Sequence, residues 1–214
     1  MSAPTQIFAD HDVVVQSISV SEMDNRCYLI SHRASGAQIL IDAADDAPAL
    51  RELLAAGTCE AGELLVVTTH QHWDHTRALG AFGGATLAAG AEDATAIEAE
   101  RGVKIGVRAS HGDVLRCGEL ELKVIALRGH TPGSIALVLE RPEATLIFTG
   151  DSLFPGGVGN TNGSAARFAS LLADVTERLF DAYPDTAMVL PGHGEGTTLG
   201  AERGSLAEWA ERGW

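Results

Sequence analysis

Three histidines and an aspartate fall within six positions of this 214-residue chain, in His70-Gln71-His72-Trp73-Asp74-His75, directly after the apolar run Leu64-Leu65-Val66-Val67. Each of these residue types makes up only a few per cent of an ordinary sequence, so a chance match in a chain of this length is on the order of one in ten thousand. Imidazole nitrogens and carboxylate oxygens without thiolates suit zinc, iron or manganese and disfavour a structural zinc-thiolate cluster. An extended segment sends alternate side chains to one side, so His70 and His72 can reach one ion while Gln71 and Trp73 point elsewhere. A turn at Trp73-Asp74 then aims Asp74 and His75 at a neighbouring point, with room for a second ion.

One segment cannot complete two coordination shells, and three more apolar runs end in the required residue types. Leu120 to Leu127 leads into Gly129-His130-Thr131-Pro132-Gly133, Leu146 to Phe148 into Thr149-Gly150-Asp151, and Met188 to Leu190 into Pro191-Gly192-His193-Gly194. Strand ends can share one rim of a sandwich, and the flanking glycines let backbone approach a crowded centre. Any one of these residues alone reads as a surface histidine or an Asx turn; the coincidence of four strand ends makes them candidate ligands. His11, His32 and His111 lack such a setting and are expected to be exposed or capping residues.

The elements that must position these residues begin with a meander of short strands at Val13–Ile18, Cys27–Ile30 and Gln38–Asp42, with a turn at Ser35-Gly36. Strand and helix then alternate. Helices are expected at Pro48–Ala56, Thr76–Phe82, Ala91–Glu100, Ala165–Phe180 and Glu202–Arg212. Further strands are expected at Leu64–Val67, Leu120–Ala126, Ile135–Leu139, Leu146–Phe148 and Ala187–Leu190. The stretch Pro155-Gly156-Gly157-Val158-Gly159 lacks the Lys-Ser/Thr of a phosphate loop and reads as a loop needing unusual backbone angles.

Composition limits the partners. With 15 Lys+Arg against 29 Asp+Glu, the net charge of -14 repels phosphate backbones and anionic membrane surfaces, so neither nucleic acid nor membrane is an expected partner. No secretory signal and no apolar run long enough for a membrane span is visible. Cys27, Cys59 and Cys117 are odd in number and irregularly spaced, which fits reduced, buried thiols and a cytoplasmic protein. No internal repeat or linker divides residues 1–214, so a single domain is expected. Trp209 and Trp214 are expected to close the core.

Taken together, the motifs resemble those of the metallo-β-lactamase-fold hydrolases, and within them the single-domain relatives of glyoxalase II (hydroxyacylglutathione hydrolase). The likeness runs through His70-x-His72-x-Asp74-His75, Gly129-His130-Thr131-Pro132-Gly133-Ser134, Gly150-Asp151-Ser152-Leu153-Phe154 and Pro191-Gly192-His193-Gly194, and reaches Thr197 to Arg203. It implies an α+β fold, a four-layer αββα sandwich. It also implies one metal on His70, His72 and His130, a second on Asp74, His75 and His193, and Asp151 bridging both, with Asp74 and Asp151 as the catalytic carboxylates. About twenty residues follow His193, so the helical substrate domain of classical glyoxalase II, and its grip on glutathione, is expected to be missing. Asp151 separates the chain from β-lactamases of this fold, which usually lack the bridging carboxylate. Phe154 separates it from the quorum-signal lactonases, which carry tyrosine there. Gly159-Asn160-Thr161-Asn162 stands where related single-domain enzymes tend to have an Arg and an Asp.

The expected cofactors are two divalent ions, zinc first, with iron or manganese as alternatives, and the expected reaction is hydrolysis of thioesters of a low-molecular-weight thiol. Bound metal lowers the pKa of water to about 7 and polarises an acyl carbonyl. A thiolate is a good enough leaving group that no strong general acid is required. The alternative is sulfur oxidation of the persulfide-dioxygenase kind, with His70, His130 and Asp151 as a two-histidine, one-carboxylate triad for a single Fe(II). A catalytically silent binding module is disfavoured because buried His and Asp without metal are costly, and a nuclease by the acidic balance.

Overall fold

The computed structural model describes residues 3–57 and 62–213. Seven strands form the first sheet in sequential order: β1 (Thr5–Ala9), β2 (Val13–Val20), β3 (Asn25–His32), β4 (Gln38–Ile41), β5 (Leu64–Thr68), β6 (Thr86–Gly90) and β7 (Val107–Ala109). Strands β1 to β4 pair antiparallel, and β4 to β7 pair parallel. The change follows from the connections: tight turns join the meander, whereas α1 (Ala47–Gly57) and α2 (Ala91–Arg101) supply the crossovers that parallel pairing requires. Asp46 opens α1 by accepting from the Ala49 amide at 3.2 Å, and Pro48 sits in the first turn, where its missing N–H is no loss.

The second sheet contains β8 (Val114–Cys117), β9 (Leu120–Ala126), β10 (Ile135–Arg141) and β11 (Ala144–Gly150). After β11 the chain makes a small hairpin, β12 (Leu153–Phe154) and β13 (Gly157–Val158), turned at Gly156 with φ +82°. It then runs through α3 (Ala165–Val175) back to β14 (Met188–Pro191), which pairs parallel with β11, and β15 (Thr197–Thr198) closes that edge. Two short helices, α4 (Leu199–Arg203) and α5 (Leu206–Arg212), end the described chain.

Three apolar clusters define four layers. Between the sheets, Val13, Val15, Tyr28, Ile30, Ile39 and Val67 meet Leu122, Val124, Leu137 and Phe148. On the outer face of the first sheet, Ile18, Leu29, Leu40 and Val66 pack against Leu50 and Leu53 of α1 and Ile97 of α2. On the outer face of the second, Ile125, Val138, Ile147 and Val189 receive Phe168, Leu171 and Val175 of α3 and Trp209 of α5. Both faces of the central strands are buried, which is why they read as continuous apolar runs rather than as alternation. The four-layer αββα sandwich of an α+β fold is therefore present.

Several elements differ from the sequence reading. The helix expected at Thr76–Phe82 is two 3-10 turns, Trp73–His75 and Leu79–Phe82, because Thr76 leaves helical geometry (φ −127°) and turns its hydroxyl onto the His72 and Trp73 carbonyls. The helix expected to reach Phe180 changes at Thr176 into a π turn, with the Thr176 hydroxyl on the Leu172 carbonyl. The C-terminal helix is broken at Gly204-Ser205. Strands β1, β6, β7 and β8 were not expected, since small residues in Thr86–Gly90 and the brevity of the others blunt the period-two signal. Cys27 and Cys117 are buried and unpaired with each other, whereas Cys59 and Trp214 lie outside the described residues.

Candidate metal centre

Strands β4, β5, β11 and β14 end along one rim, as does the loop after β9, and every candidate ligand lies just past such an end. His70 and His72 follow β5; His75 closes the 3-10 turn Trp73–His75, whose His75 amide donates to the His72 carbonyl at 3.1 Å. Asp151 follows β11, and His193 follows β14. His70, His75 and His130 are buried, and His72, Asp74, Asp151 and His193 are half-buried.

The seven side chains converge. Three groups have donor atoms within 4.8 Å of one another: His70, His72 and His130; His70, His75 and Asp151; and Asp74, His75 and His193. His72 Nδ1 lies 3.1 Å from His70 Nε2 and 2.9 Å from His130 Nε2, and His75 Nε2 lies 3.0 Å from His193 Nε2. Asp151 spans both ends of the cluster: Oδ1 is 3.3 Å from His75 Nε2, while Oδ2 is 3.6 Å from His130 Nε2 and 3.5 Å from His193 Nε2.

The outward nitrogens determine what the inward ones can do. His130 Nδ1 faces the Asn160 carbonyl at 2.8 Å and His193 Nδ1 the Met23 carbonyl at 2.8 Å, so both must donate. His75 Nδ1 faces Asp42 Oδ2 at 2.8 Å. Thr69 Oγ1 donates to Asp42 Oδ2, which leaves it to accept from His70 Nδ1 at 3.1 Å. With the outer protons so placed, the Nε2 atoms of His70, His75, His130 and His193 face inward, where a cation would take their lone pairs. Asp151 Oδ1 adds to this, because it is buried with no hydrogen-bond partner. The donor set, its spacing and the unpartnered carboxylate oxygen fit a pair of metal ions.

Without a cation between them, the groups titrate abnormally. Burial pushes His70 and His130 below the usual histidine range. Burial also pulls His75 and His193 down, but the surrounding carboxylates outweigh it, Asp42 and Asp151 at His75 and Asp151 and Asp74 at His193, and raise both to about 10. The same contacts hold Asp74 and Asp151 below the carboxylate range against the upward pull of burial.

Supporting residues that the sequence reading missed surround this cluster. Asp42, past the end of β4 and 1% exposed, accepts from the Thr69 amide as well as its hydroxyl and faces His75. Asn25, fully buried at the start of β3, donates to Asp74 Oδ2 at 3.0 Å. Asp93 in the first turn of α2 accepts from the amides of Gln71 and Gly133 at 2.9 and 2.7 Å and from the Thr131 hydroxyl at 2.5 Å, tying the His70–His72 segment to the loop that carries His130. Arg167 of α3 donates to the carbonyls of Gly129 and His130. Asp42 ends an apolar strand just as Asp151 does, and that parallel was the available signal; the others leave no motif. His11, His32 and His111 lie away from the cluster; His11 is exposed beside Asp12, and His32 accepts from the Ser35 amide in the turn after β3.

The chain belongs to the metallo-beta-lactamase superfamily, whose family model matches residues 22–193. A hydroxyacylglutathione hydrolase from Jannaschia sp. is 36% identical over 172 residues, covering 79% of this chain and 62% of that protein. The alignments span 51 to 62% of the length of the first hydroxyacylglutathione hydrolases matched. Among solved structures, ETHE1 from Myxococcus xanthus superposes with a TM-score of 0.77 at 29% identity, covering 92% of this chain and 84% of that one. TTHA1623, solved in a di-iron-bound form, gives 0.63 at 29% identity over 87% and 96%. No helix of the described residues is long and apolar enough to cross a membrane.

Proposed function

We propose that this chain is a dinuclear metal-dependent hydrolase of thioesters of a small thiol. His70, His72 and His130 would hold one ion, Asp74, His75 and His193 the other, and Asp151 would bridge them. The observation that carries the reading is the convergence of these seven donors around a buried carboxylate oxygen with no hydrogen-bond partner. Similarity to hydroxyacylglutathione hydrolases supports the thioester class, and the di-iron form of TTHA1623 supports a pair of ions with iron beside zinc and manganese as candidates. A single domain over residues 1–214 and a cytoplasmic setting belong to the same reading, the latter supported by the buried free thiols of Cys27 and Cys117.

Bound metal supplies a water acidified to about pKa 7 and a Lewis acid for the acyl oxygen. The chain's own residues prepare that chemistry. Asp42 fixes the proton of His75 on Nδ1 and turns Nε2 inward; Asn160 and Met23 do the same for His130 and His193 through their carbonyls. Asn25 anchors Asp74 through Oδ2. The deciding experiment combines metal quantification, a thioester panel and oxygen uptake. Two metals per chain with hydrolysis and no oxygen consumption supports the proposal; activity that survives complete metal removal defeats it.

Likeness to ETHE1 sustains a second reading, a single Fe(II) on His70, His130 and Asp151 that oxidises a persulfide. One iron per chain with oxygen uptake on a persulfide would select it.

A further inference from the structure

Met23 and Trp73 are the large hydrophobic side chains exposed among the described residues, at 49% and 45%. Both belong to the segments that build the cluster. Trp73 stands between His72 and Asp74, and the Met23 carbonyl holds His193 Nδ1. They line one cavity of about 340 Å³ together with Asn25, Asp45, Asp74 and Arg77, so its wall is continuous with the candidate metal centre.

Trp73 is braced. The Arg77 guanidinium lies 4.5 Å from its ring centroid, and Arg101 Nη2 donates to its carbonyl at 3.2 Å. The arginines around it are committed elsewhere: Arg77 to Asp45 at 2.6 Å, Arg101 to Glu100 at 2.9 Å, and Arg26, near His193, to Glu195 at 2.8 Å. Glu22 adds negative charge to the same wall. An anionic substituent entering here would meet carboxylates and cations already paired. An uncharged apolar substituent would instead cover a fixed indole and an adaptable thioether that otherwise face water.

We infer that the Met23–Trp73 cavity is a specificity subsite that takes an uncharged aryl or alkyl substituent of the substrate. The inference rests on the thioester-hydrolase reading of the adjoining centre. A rigid aromatic wall discriminates by apolar area, and each methylene in such a pocket changes kcat/KM by roughly 10-fold or more.

The test uses metal-loaded protein, with metal content measured on wild type, Trp73→Ala, Trp73→Phe and Met23→Ala. Acetyl and phenylacetyl thioesters of one uncharged thiol vary the acyl side; acetyl thioesters of a benzyl and of an anionic thiol vary the other. The wild type should prefer the aromatic member of one series by about 10-fold or more, and that preference should contract toward unity in the two alanine variants, chiefly through KM. Which series responds tells whether the acyl or the thiol side occupies the cavity. A hydrolysis-inert thioether carrying the same aryl group should bind the wild type and the Phe variant and lose at least 10-fold in affinity to the alanine variants by calorimetry. An unchanged aryl preference in alanine variants that retain metal, equal thioether binding throughout, or a preference for the anionic thiol overturns the subsite. Absence of turnover on every thioester overturns the hydrolase reading, and the thioether binding still decides the subsite.

Discussion

Asp42 has no place among the candidate ligands, yet its carboxylate touches three atoms that orient them: the Thr69 amide, the Thr69 hydroxyl and His75 Nδ1. A carboxylate behind a metal-binding histidine raises its basicity and fixes its tautomer, and losing such a partner costs 10–100-fold in metal affinity as a rule. Asp42→Asn should therefore lower affinity for the ion proposed on Asp74, His75 and His193 by about that factor, read by competition with a chromophoric chelator; unaltered affinity would remove Asp42 from the site. Gly192 acts by what it lacks. A Cβ there would stand 2.3 Å from Asp151 Oδ1 and 2.6 Å from His75 Cε1. Gly192→Ala must displace the Asp151 carboxylate, so the purified variant should carry less metal than wild type, and full occupancy would show that the loop yields freely.

Elements position the site by what they lock behind it. Gly150, at φ +48°, turns β11 so that Asp151 faces the rim while the backbone lies against Thr69, where a side chain would collide with its hydroxyl at 2.6 Å. Helix α3 matters twice. Its apolar face holds the second sheet through Phe168, Leu171 and Val175, and its Arg167 pins the backbone of Gly129 and His130. Trp209 of α5, 1% exposed and 6.3 Å from Phe180 between ring centroids, closes that same layer far from the cluster. Trp209→Ala should cost about 3–5 kcal/mol of stability. Chemical denaturation should show that loss while the metal stoichiometry of the folded fraction stays at the wild-type value; a loss below about 1 kcal/mol would mean that the layer repacks.

At the scale of the whole molecule, charge decides how the centre responds to pH. Without metal the surrounding carboxylates raise both His75 and His193, and with their Nε2 atoms 3.0 Å apart the two titrate as a pair that holds at least one extra proton in neutral solution. Metal uptake must expel that proton charge. Calorimetry near pH 7.5 in buffers of different ionisation enthalpy should report release of about one proton or more per chain, and none would contradict the assignment of both histidines as ligands. The sign for the metal-free protein follows from the same shifts. A histidine whose folded pKa is raised stabilises the fold fully below its unfolded value near 6.5, and that contribution is lost as pH climbs through 10. Chelator-treated protein should accordingly lose stability between about pH 6.5 and 10, read as a falling urea midpoint. A midpoint that rises across this window would show that the carboxylates do not protonate the pair.

Some of this was local, and the sequence alone determined it. The crowding of His70, His72, Asp74 and His75 behind one apolar run, and the endings at His130, Asp151 and His193, are short-range patterns whose residue types have few other uses together. The central strands were legible for the same reason, because burial on both faces leaves unbroken Val, Leu and Ile runs such as Leu64–Val67 and Ile135–Leu139. Only the tertiary structure decided which strand ends share a rim, that Asp151 reaches both groups of donors, and that Asp42, Asn25 and Asp93 stand behind them. The bonds from Gln71 to Asp93, His75 to Asp42 and Asn25 to Asp74 join residues 22, 33 and 49 positions apart and leave no periodic trace. It likewise decided the fate of Thr76–Phe82, where a helical composition lost to the tight turn that turns Asp74 and His75 inward.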